Sequence, residues 1–431
     1  MRVLFDISAL GAVAANAHQR HIFGVARVVE KTLAALVEAD SEVEQLFVHA
    51  RYCIAGSERY YRSHWSGKSR AERYTMAFVP PAIPVPVRSR LLELEAFFSS
   101  AYVRAPWKTM GVGRAGWWAT RRILDRVTPS LSSSLDIYHC PFGAVPKWTG
   151  FQRKLRRFTT IYDLIPTLQP QHFYKSTVRA ADRALSALTY EDWTLSISES
   201  TRRDLLEHFP QLDPEKAAVT QLAADPHFMP QFDSAAIATA RARYGIPEGE
   251  YFLSLCTVEP RKNVDVIIRA FVRFYKEQKL KKDVSLVLVG KVIERTPQLQ
   301  AALESAGSLC DRIIFTGFVA DEDLSFIYSG AQAFVYMSQY EGFGLPPLEA
   351  MQCGVPVIAS DVSSIPEVVH DAGILLDPFD IDALSAAMGQ LWNDQELRAA
   401  LSKRGIQRAK LFSWERFSKQ TLGAYRRAVA A

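Results

Sequence analysis

Residues 333–360 read A-F-V-Y-M-S-Q-Y-E-G-F-G-L-P-P-L-E-A-M-Q-C-G-V-P-V-I-A-S. The apolar run Ala333–Met337 predicts a buried strand. Glu341 then falls on a loop in which Gly342 and Gly344 permit backbone conformations closed to other residues. A helix follows the Pro346-Pro347 pair, carries Glu349 about one turn inside it, and stops at Gly354. Val355–Ser360 reads as the next buried strand. Strand, loop, helix and strand in that order are the unit of a parallel sheet, whose ligands bind beyond the carboxyl ends of its strands. The N–H groups opening the helix favour an anionic or hydroxyl-rich ligand. By itself the loop reads equally well as turn punctuation with two solvated glutamates.

The pattern repeats outward in both directions. Val3–Ile7, Leu46–Ala50, Tyr74–Val79, Asp136–Cys140, Phe158–Tyr162 and Trp193–Ile197 form one set of strand-like runs. Tyr251–Thr257, Val284–Gly290, Arg312–Gly317, Ala333–Met337 and Val355–Ser360 form a second. Helical periodicity fills Val25–Ala39, Val264–Gln278, Asp321–Ser329 and Leu384–Asn393. Two alternating sets predict an α/β protein with two doubly wound, Rossmann-like domains facing a cleft. The expected boundaries are 1–224 and 225–413. The aperiodic, proline-bearing stretch Leu222–Phe232 is the expected linker. A last helix, Trp414–Ala428, follows another helix without an intervening strand, so the 414–431 segment is expected to cross back to the first domain.

Composition sets the class. The chain has 431 residues, 48% hydrophobic and 23% charged, which is ordinary for a globular protein. Its net charge of +5 is uneven: residues 1–224 carry 29 basic against 21 acidic side chains, residues 225–431 carry 22 against 25. An anionic partner for the first half is one reading and chance unevenness the other. The five cysteines show no C-x-x-C pair, and His18, His21, His139 and His172 show no ligand spacing. Free thiols in a reducing compartment and no essential metal are expected. The opening M-R-V-L-F-D-I-S reads as a first strand rather than a signal peptide, and no run has membrane-spanning length. The expected location is cytoplasmic, with peripheral attachment to the inner membrane face as a further option. No nucleic-acid-binding signature is visible.

T-V-E-P-R-K-N, Thr257 to Asn263, follows the second set's first strand. Glu259, Arg261 and Lys262 crowd together there. A planar fork of donors beside a compact ammonium suits a diphosphate. Two cations at a helix start oppose its dipole, which favours a bound anion over a merely solvated turn. Gly290 and Gly317 close the next two strands, where close backbone approach and a tight turn are equally good readings. Asp321 is expected to cap a helix. Asp361-Val362-Ser363-Ser364 reads as a cap before Ile365-Pro366-Glu367.

Taken in order, T-V-E-P-R-K-N, T-G-F-V, Y-E-G-F-G-L-P-P-L-E-A-M, G-V-P-V-I-A-S and F-S-W-E resemble a retaining glycosyltransferase of family four with the GT-B fold. The likeness is to the bacterial mannosyl- and rhamnosyltransferase branch. In the first half the resemblance rests on Phe23-Gly24-Val25-Ala26-Arg27, Ile161-Tyr162-Asp163-Leu164-Ile165-Pro166 and Ser196-Ile197-Ser198. It implies that Arg261 and Lys262 hold the donor diphosphate and that Glu341 contacts the donor sugar. Backbone groups of Gly342, Phe343 and Gly344, with Leu345 beside them, would meet sugar hydroxyls and phosphate. Glu349 would accept from the ribose hydroxyls. Asp163 joins the catalytic set, and Gly24, Thr257, Glu259, Gly290 and Gly317 the nucleotide-binding set. Three positions depart from the family pattern. Tyr162 stands where a His is common, and a phenol carries no positive charge. Only Gly24 follows Phe23 where two glycines are common. Cys256-Thr257 replaces a Gly-Arg pair, leaving Arg261 to supply the guanidinium.

The expected activity is transfer of a mannose-like hexose from a nucleotide-diphosphate sugar, GDP-mannose first, to a glycan or lipid-linked glycan acceptor in polysaccharide assembly. No cofactor beyond this donor substrate is expected. Two rivals are a nucleotide-sugar epimerase of the same architecture and a non-catalytic nucleotide-sugar-binding scaffold. Segment Pro86–Val127 mixes eight Lys/Arg and three acids with Phe97, Phe98, Tyr102, Trp107, Trp117 and Trp118. It reads either as a seat on an anionic membrane or as an insertion packing on the first domain.

Overall fold

The computed structural model describes residues 1–6, 25–39, 42–49, 74–76, 135–143, 145, 149, 154–255, 257–279, 284–292 and 296–431. Gly24, Cys53, Cys256 and the segment Pro86–Val127 lie outside the described residues. Thirteen strands among the described residues make two sheets, each parallel throughout. The first contains β1 (Arg2–Asp6), β2 (Gln45–His49), β3 (Tyr74–Met76), β4 (Ile137–Cys140), β5 (Arg156–Ile161), β6 (Trp193–Ser196) and β7 (Ala217–Val219). Its order is β3-β2-β1-β4-β5-β6-β7. The second contains β8 (Glu250–Leu255), β9 (Val284–Val289), β10 (Ile313–Gly317), β11 (Ala333–Tyr336), β12 (Val357–Ser360) and β13 (Gly373–Leu376), in the order β10-β9-β8-β11-β12-β13. Each order reverses once, between β1 and β4 and between β8 and β11. A crevice opens at such a reversal, because the connections leave to opposite sides.

β7 and β13 were not expected. Both are edge strands, three and four residues long and only partly buried, and apolar runs as short as A-A-V and I-L-L show no period that separates a strand from a turn or a helix. The strand expected over Val355–Ser360 starts at Val357, since Pro356 has no N–H for the ladder. The helices Val25–Glu38, Val264–Glu277, Asp321–Ser329, Ile381–Asn393 and Trp414–Ala430 occupy the periodic segments.

The 222–232 stretch lacks periodicity but is well packed. Leu222, Ala223, Ala224 and Phe228 are buried in the core built on the second sheet. Gln352 Nε2 donates to the carbonyls of Asp225 at 2.9 Å and Phe228 at 2.7 Å, which satisfies irregular backbone where no ladder can. In the last helix Phe417 joins the second sheet's core, while Leu422, Ala424, Tyr425 and Ala428 pack with Phe5, Ile137, Phe158 and Leu195 of the first. The Tyr425 hydroxyl lies 2.6 Å from His139 Nδ1, and His139 Nε2 lies 2.9 Å from Thr160 Oγ1. Burial pulls His139 down to about 3, so the imidazole is neutral. Cys140 and Cys353 are buried, the Cys140 thiol donating to the Phe142 carbonyl at 3.4 Å, whereas Cys310 is exposed. Among the described residues no helix is long and apolar enough to cross a membrane.

Candidate active site

β8 and β11 are hydrogen-bonded neighbours, with Phe252 opposite Ala333 and Leu253 opposite Phe334. The loops leaving their carboxyl ends therefore run side by side at the reversal of strand order. Gln339 N donates to the Arg261 carbonyl at 2.9 Å and joins the two loops. The Arg261–Lys262 pair sits in a short 3-10 turn, Pro260–Lys262, and not in the helix itself. Asn263, left-handed at φ 51°, then redirects the chain into helix Val264–Glu277.

Arg261 donates to Glu341 Oε1 at 3.0 Å, to the Tyr340 carbonyl at 2.7 Å and to Glu259 Oε1 at 2.5 Å. Lys262 Nζ donates to the same Glu341 oxygen and to the Tyr336 hydroxyl at 2.9 Å. Tyr336 and Ser338 also donate to that oxygen, at 2.8 and 2.5 Å. Burial opposes ionisation of Glu341, but the Lys262 and Arg261 charges overcome it and hold the carboxyl down to about 2. Glu341 is thus a fixed anion between two fixed cations. The dipole conflict expected at this helix start is answered locally by Glu341 and Glu259.

Two serines hold the loop in shape. Ser363 Oγ accepts from Glu341 N at 2.9 Å. Ser364 Oγ donates to the carbonyls of Glu341 and Phe343 at 2.9 and 2.8 Å. This corrects the cap expected at 361–364: Ser364 precedes helix Ile365–Val369, but its side chain makes no capping bond. Asp321 is likewise the first residue of its helix and not its cap; Ala320 occupies that position.

The first sheet approaches this loop closely. Gly342 abuts the Tyr162 carbonyl and Asp163 Cβ, leaving no room for a side chain. Thr201 Oγ1 donates to the Gly342 carbonyl at 3.2 Å, and the Tyr340 hydroxyl donates to Asp204. Glu367, from the second sheet, accepts from the backbone N–H groups of Glu199 at 2.9 Å and Ser200 at 2.5 Å, at the start of helix Glu199–His208. Asp163 Oδ1 accepts from Ile165 N at 2.9 Å. Burial raises its pKa, partly countered by the Ile165 N–H and by the charges of Arg261 and Lys262.

Thr257 is exposed after β8. Gly290 N donates to the Gly317 carbonyl at 2.9 Å, and both glycines have positive φ, 135° and 70°. Gly344 precedes helix Leu345–Gln352 at φ 110°. Phe343 is buried, its ring 5.8 Å from that of Phe412, so only its main chain faces the loop. Leu345 packs half-buried on the core. Glu349 forms a separate site: it is buried, accepts from the Tyr328 hydroxyl at 3.1 Å, and lies 3.9 Å from Arg27 Nη1. Burial lifts its carboxyl to about 7 against the pull of Arg27 and Tyr328. Among the described residues no group of three or more His, Cys, Asp or Glu is placed to hold a metal.

Sequence reasoning missed Tyr336, Ser338, Ser363, Ser364, Thr201 and Asp204. Tyr336 and Ser338 sit on β11 and the loop after it, Ser363 and Ser364 follow β12, which pairs with β11, and Thr201 and Asp204 come from the helix Glu199–His208 where the two sheets approach.

Two parallel sheets meeting at carboxyl-end loops are the architecture of a GT-B glycosyltransferase. Sucrose-phosphate synthase of Thermosynechococcus elongatus superposes with a TM-score of 0.62 at 20% identity, covering 100% of both chains. HepE of Anabaena, in complex with UDP and glucose, superposes with a TM-score of 0.60 at 14% identity, covering 98% of each. The family model for glycosyl transferases group 1 matches residues 237–408. The O-antigen chain mannosyltransferase B of Escherichia coli is 35% identical over 291 residues, 67% of this chain and 74% of that protein. The serotype-specific mannosyltransferase WbdA of Escherichia coli is 29% identical over 263 residues, 59% of this chain and only 31% of that longer protein. The chain belongs to the group 1 glycosyltransferases, family four, and is an enzyme of the hexosyltransferase type. Membership implies a nucleotide-sugar donor.

Proposed function

We propose that this enzyme transfers a hexose, mannose first, from a nucleoside-diphosphate sugar to a glycan or lipid-linked glycan during polysaccharide assembly, with retention of anomeric configuration. The observation that carries it is the Arg261–Lys262–Glu341 cluster at the β8/β11 reversal. The 225–413 region holds the donor and the 1–224 region presents the acceptor. Arg261 and Lys262 turn part of their hydrogen bonding from Glu341 to the donor diphosphate. They stabilise the charge that builds on it as the glycosidic C–O bond breaks. Glu341, fixed and ionised, accepts from hydroxyls of the donor sugar. Asp163 meets the transferred sugar from the other side, and Glu349 accepts from the ribose hydroxyls. The acceptor hydroxyl attacks on the face the leaving group vacates and gives its proton to a phosphate oxygen. The mannosyltransferase relatives support the choice of hexose, and GDP-mannose is the first donor to test. The Pro86–Val127 segment, outside the described residues, is proposed to seat the enzyme on an anionic membrane surface by its basic and aromatic side chains.

Thermal-shift screening against GDP-, UDP- and dTDP-hexoses identifies the donor, since a ligand of the native state alone raises the melting temperature. The preferred donor is then incubated with and without lipid-linked glycan. Acceptor-dependent release of nucleoside diphosphate is the expected result. A sugar altered without any acceptor would overturn the proposal in favour of an epimerase. Sedimentation with phosphatidylserine vesicles checks the membrane seat: salt should weaken binding, and replacing Trp117 and Trp118 with Ala should reduce it.

A further inference from the structure

Helix Val25–Glu38, which packs on the first sheet, carries two cations one turn apart onto the second. Arg27 Nη1 stands 3.9 Å from Glu349 Oε1, and Arg27 Nη2 stands 3.5 Å from Asp321 Oδ2. Lys31 Nζ lies 3.9 Å from Asp225 Oδ2 and 5.7 Å from the centre of the Trp414 ring. Between them Val28 is buried in the second sheet's core. The Arg27 and Glu349 side chains are only 12% and 10% exposed, so water and salt screen this pair weakly. The diphosphate cluster has its own cations in Arg261 and Lys262. Arg27 faces a different carboxylate, and it comes from the opposite sheet.

We propose that Arg27 is a positioning residue for donor binding: as the first sheet's helix docks, it favours the ionised form of the Glu349 carboxylate and orients it to accept the paired hydroxyls of the donor nucleoside. This rests on the reading of Glu349 as the ribose acceptor. The groups acting on Glu349 are Arg27, the Tyr328 hydroxyl, Asp321, Asp225 and Cys353. Burial places its protonation near neutrality, with Arg27 the main charge favouring the carboxylate and Asp321 and Asp225 opposing it. Without the guanidinium, burial and two neighbouring carboxylates act against ionisation, and the proton is held to higher pH.

The test is calorimetric binding of GDP and of UDP to the full chain from about pH 5.5 to about pH 9, a window spanning the Glu349 titration. Affinity should rise through an acid limb near neutrality. Arg27→Leu should move that limb up by about one pH unit, the effect of losing one close opposite charge. Arg27→Lys, which keeps the charge, should move it back, and Glu349→Gln should abolish it. Arg27→Gln replaces the leucine variant if the latter fails to fold. An unmoved limb in the neutral Arg27 variants, with the limb lost in Glu349→Gln, overturns the role of Arg27 and leaves the reading of Glu349 standing. An unchanged limb and affinity in Glu349→Gln overturns both.

Discussion

Gly342 lies so close to Tyr162 that a Cβ on the glycine would overlap the tyrosine's carbonyl oxygen and stand 3.0 Å from Asp163 Cβ. The loop bearing Glu341 therefore meets the first sheet main chain to main chain. Gly342→Ala must push the two loops apart, at about 1–3 kcal/mol for overpacking a close-packed site. Turnover should fall sharply, while binding of free nucleoside diphosphate, whose proposed ribose acceptor Glu349 and its partner Arg27 are not among the groups packed on Gly342, should change little. Parallel assays of kcat and calorimetric Kd check this. Equal losses in both would show that the approach matters to the donor site itself.

Arg261→Ala removes a donor to Glu341 and a positive charge from the cluster. Turnover should drop about a hundredfold or more, the loss seen when a group stabilising developing charge is deleted. Nucleoside diphosphate affinity should weaken as well. A folded variant with unchanged rate and affinity would refute the diphosphate assignment.

Glu341 and Glu349 should give opposite pH signatures in the free protein. Glu341 falls from an ordinary 4.5 to about 2 on folding, so its contribution is present above about pH 4.5 and is lost as pH drops toward about 2. Glu349 rises from 4.5 to about 7, so the native state holds its proton more tightly and stability declines as pH climbs from about 4.5 through about 7. The Glu349 effect is at most about 3 kcal/mol. Glu349→Gln should flatten the decline between about pH 4.5 and about 7, and Glu341→Gln should leave it in place. Denaturant unfolding across pH reads both.

The two carboxylates should also separate by ligand. Glu349→Ala should weaken free nucleotide, because it removes the proposed ribose acceptor. Glu341→Ala should spare free nucleotide and impair use of the sugar donor. Calorimetry with GDP and with GDP-mannose distinguishes these roles, and identical losses for both ligands in both variants would contradict them.

Activity should survive exhaustive chelation, because the positive charge offered to the diphosphate comes from Arg261 and Lys262. Loss on chelation that a divalent ion restores would refute this.

The strand–loop–helix–strand order around Glu341, the two-sheet architecture and the grouping of Glu259, Arg261 and Lys262 were legible in the sequence. Each is a local property, carried by apolar runs, turn residues and charges a few positions apart. The edge strands β7 and β13 were not legible, because apolar runs of three residues on half-covered edges show no period. Nor were the donors that converge on Glu341. Arg261 is 80 positions away and reaches it only because β8 pairs with β11. Ser363 and Ser364 looked like helix caps, yet they hold the loop through bonds to Glu341 and Phe343. The deepest divergence is between Glu341 and Glu349. Both are glutamates of one short motif, alike in sequence. The tertiary structure surrounds one with two cations and hydroxyl donors and drives its pKa down. It buries the other beside a single, more distant guanidinium and drives its pKa up. Sequence sets which groups can ionise; the packing of distant elements sets the charges and desolvation that decide whether they do.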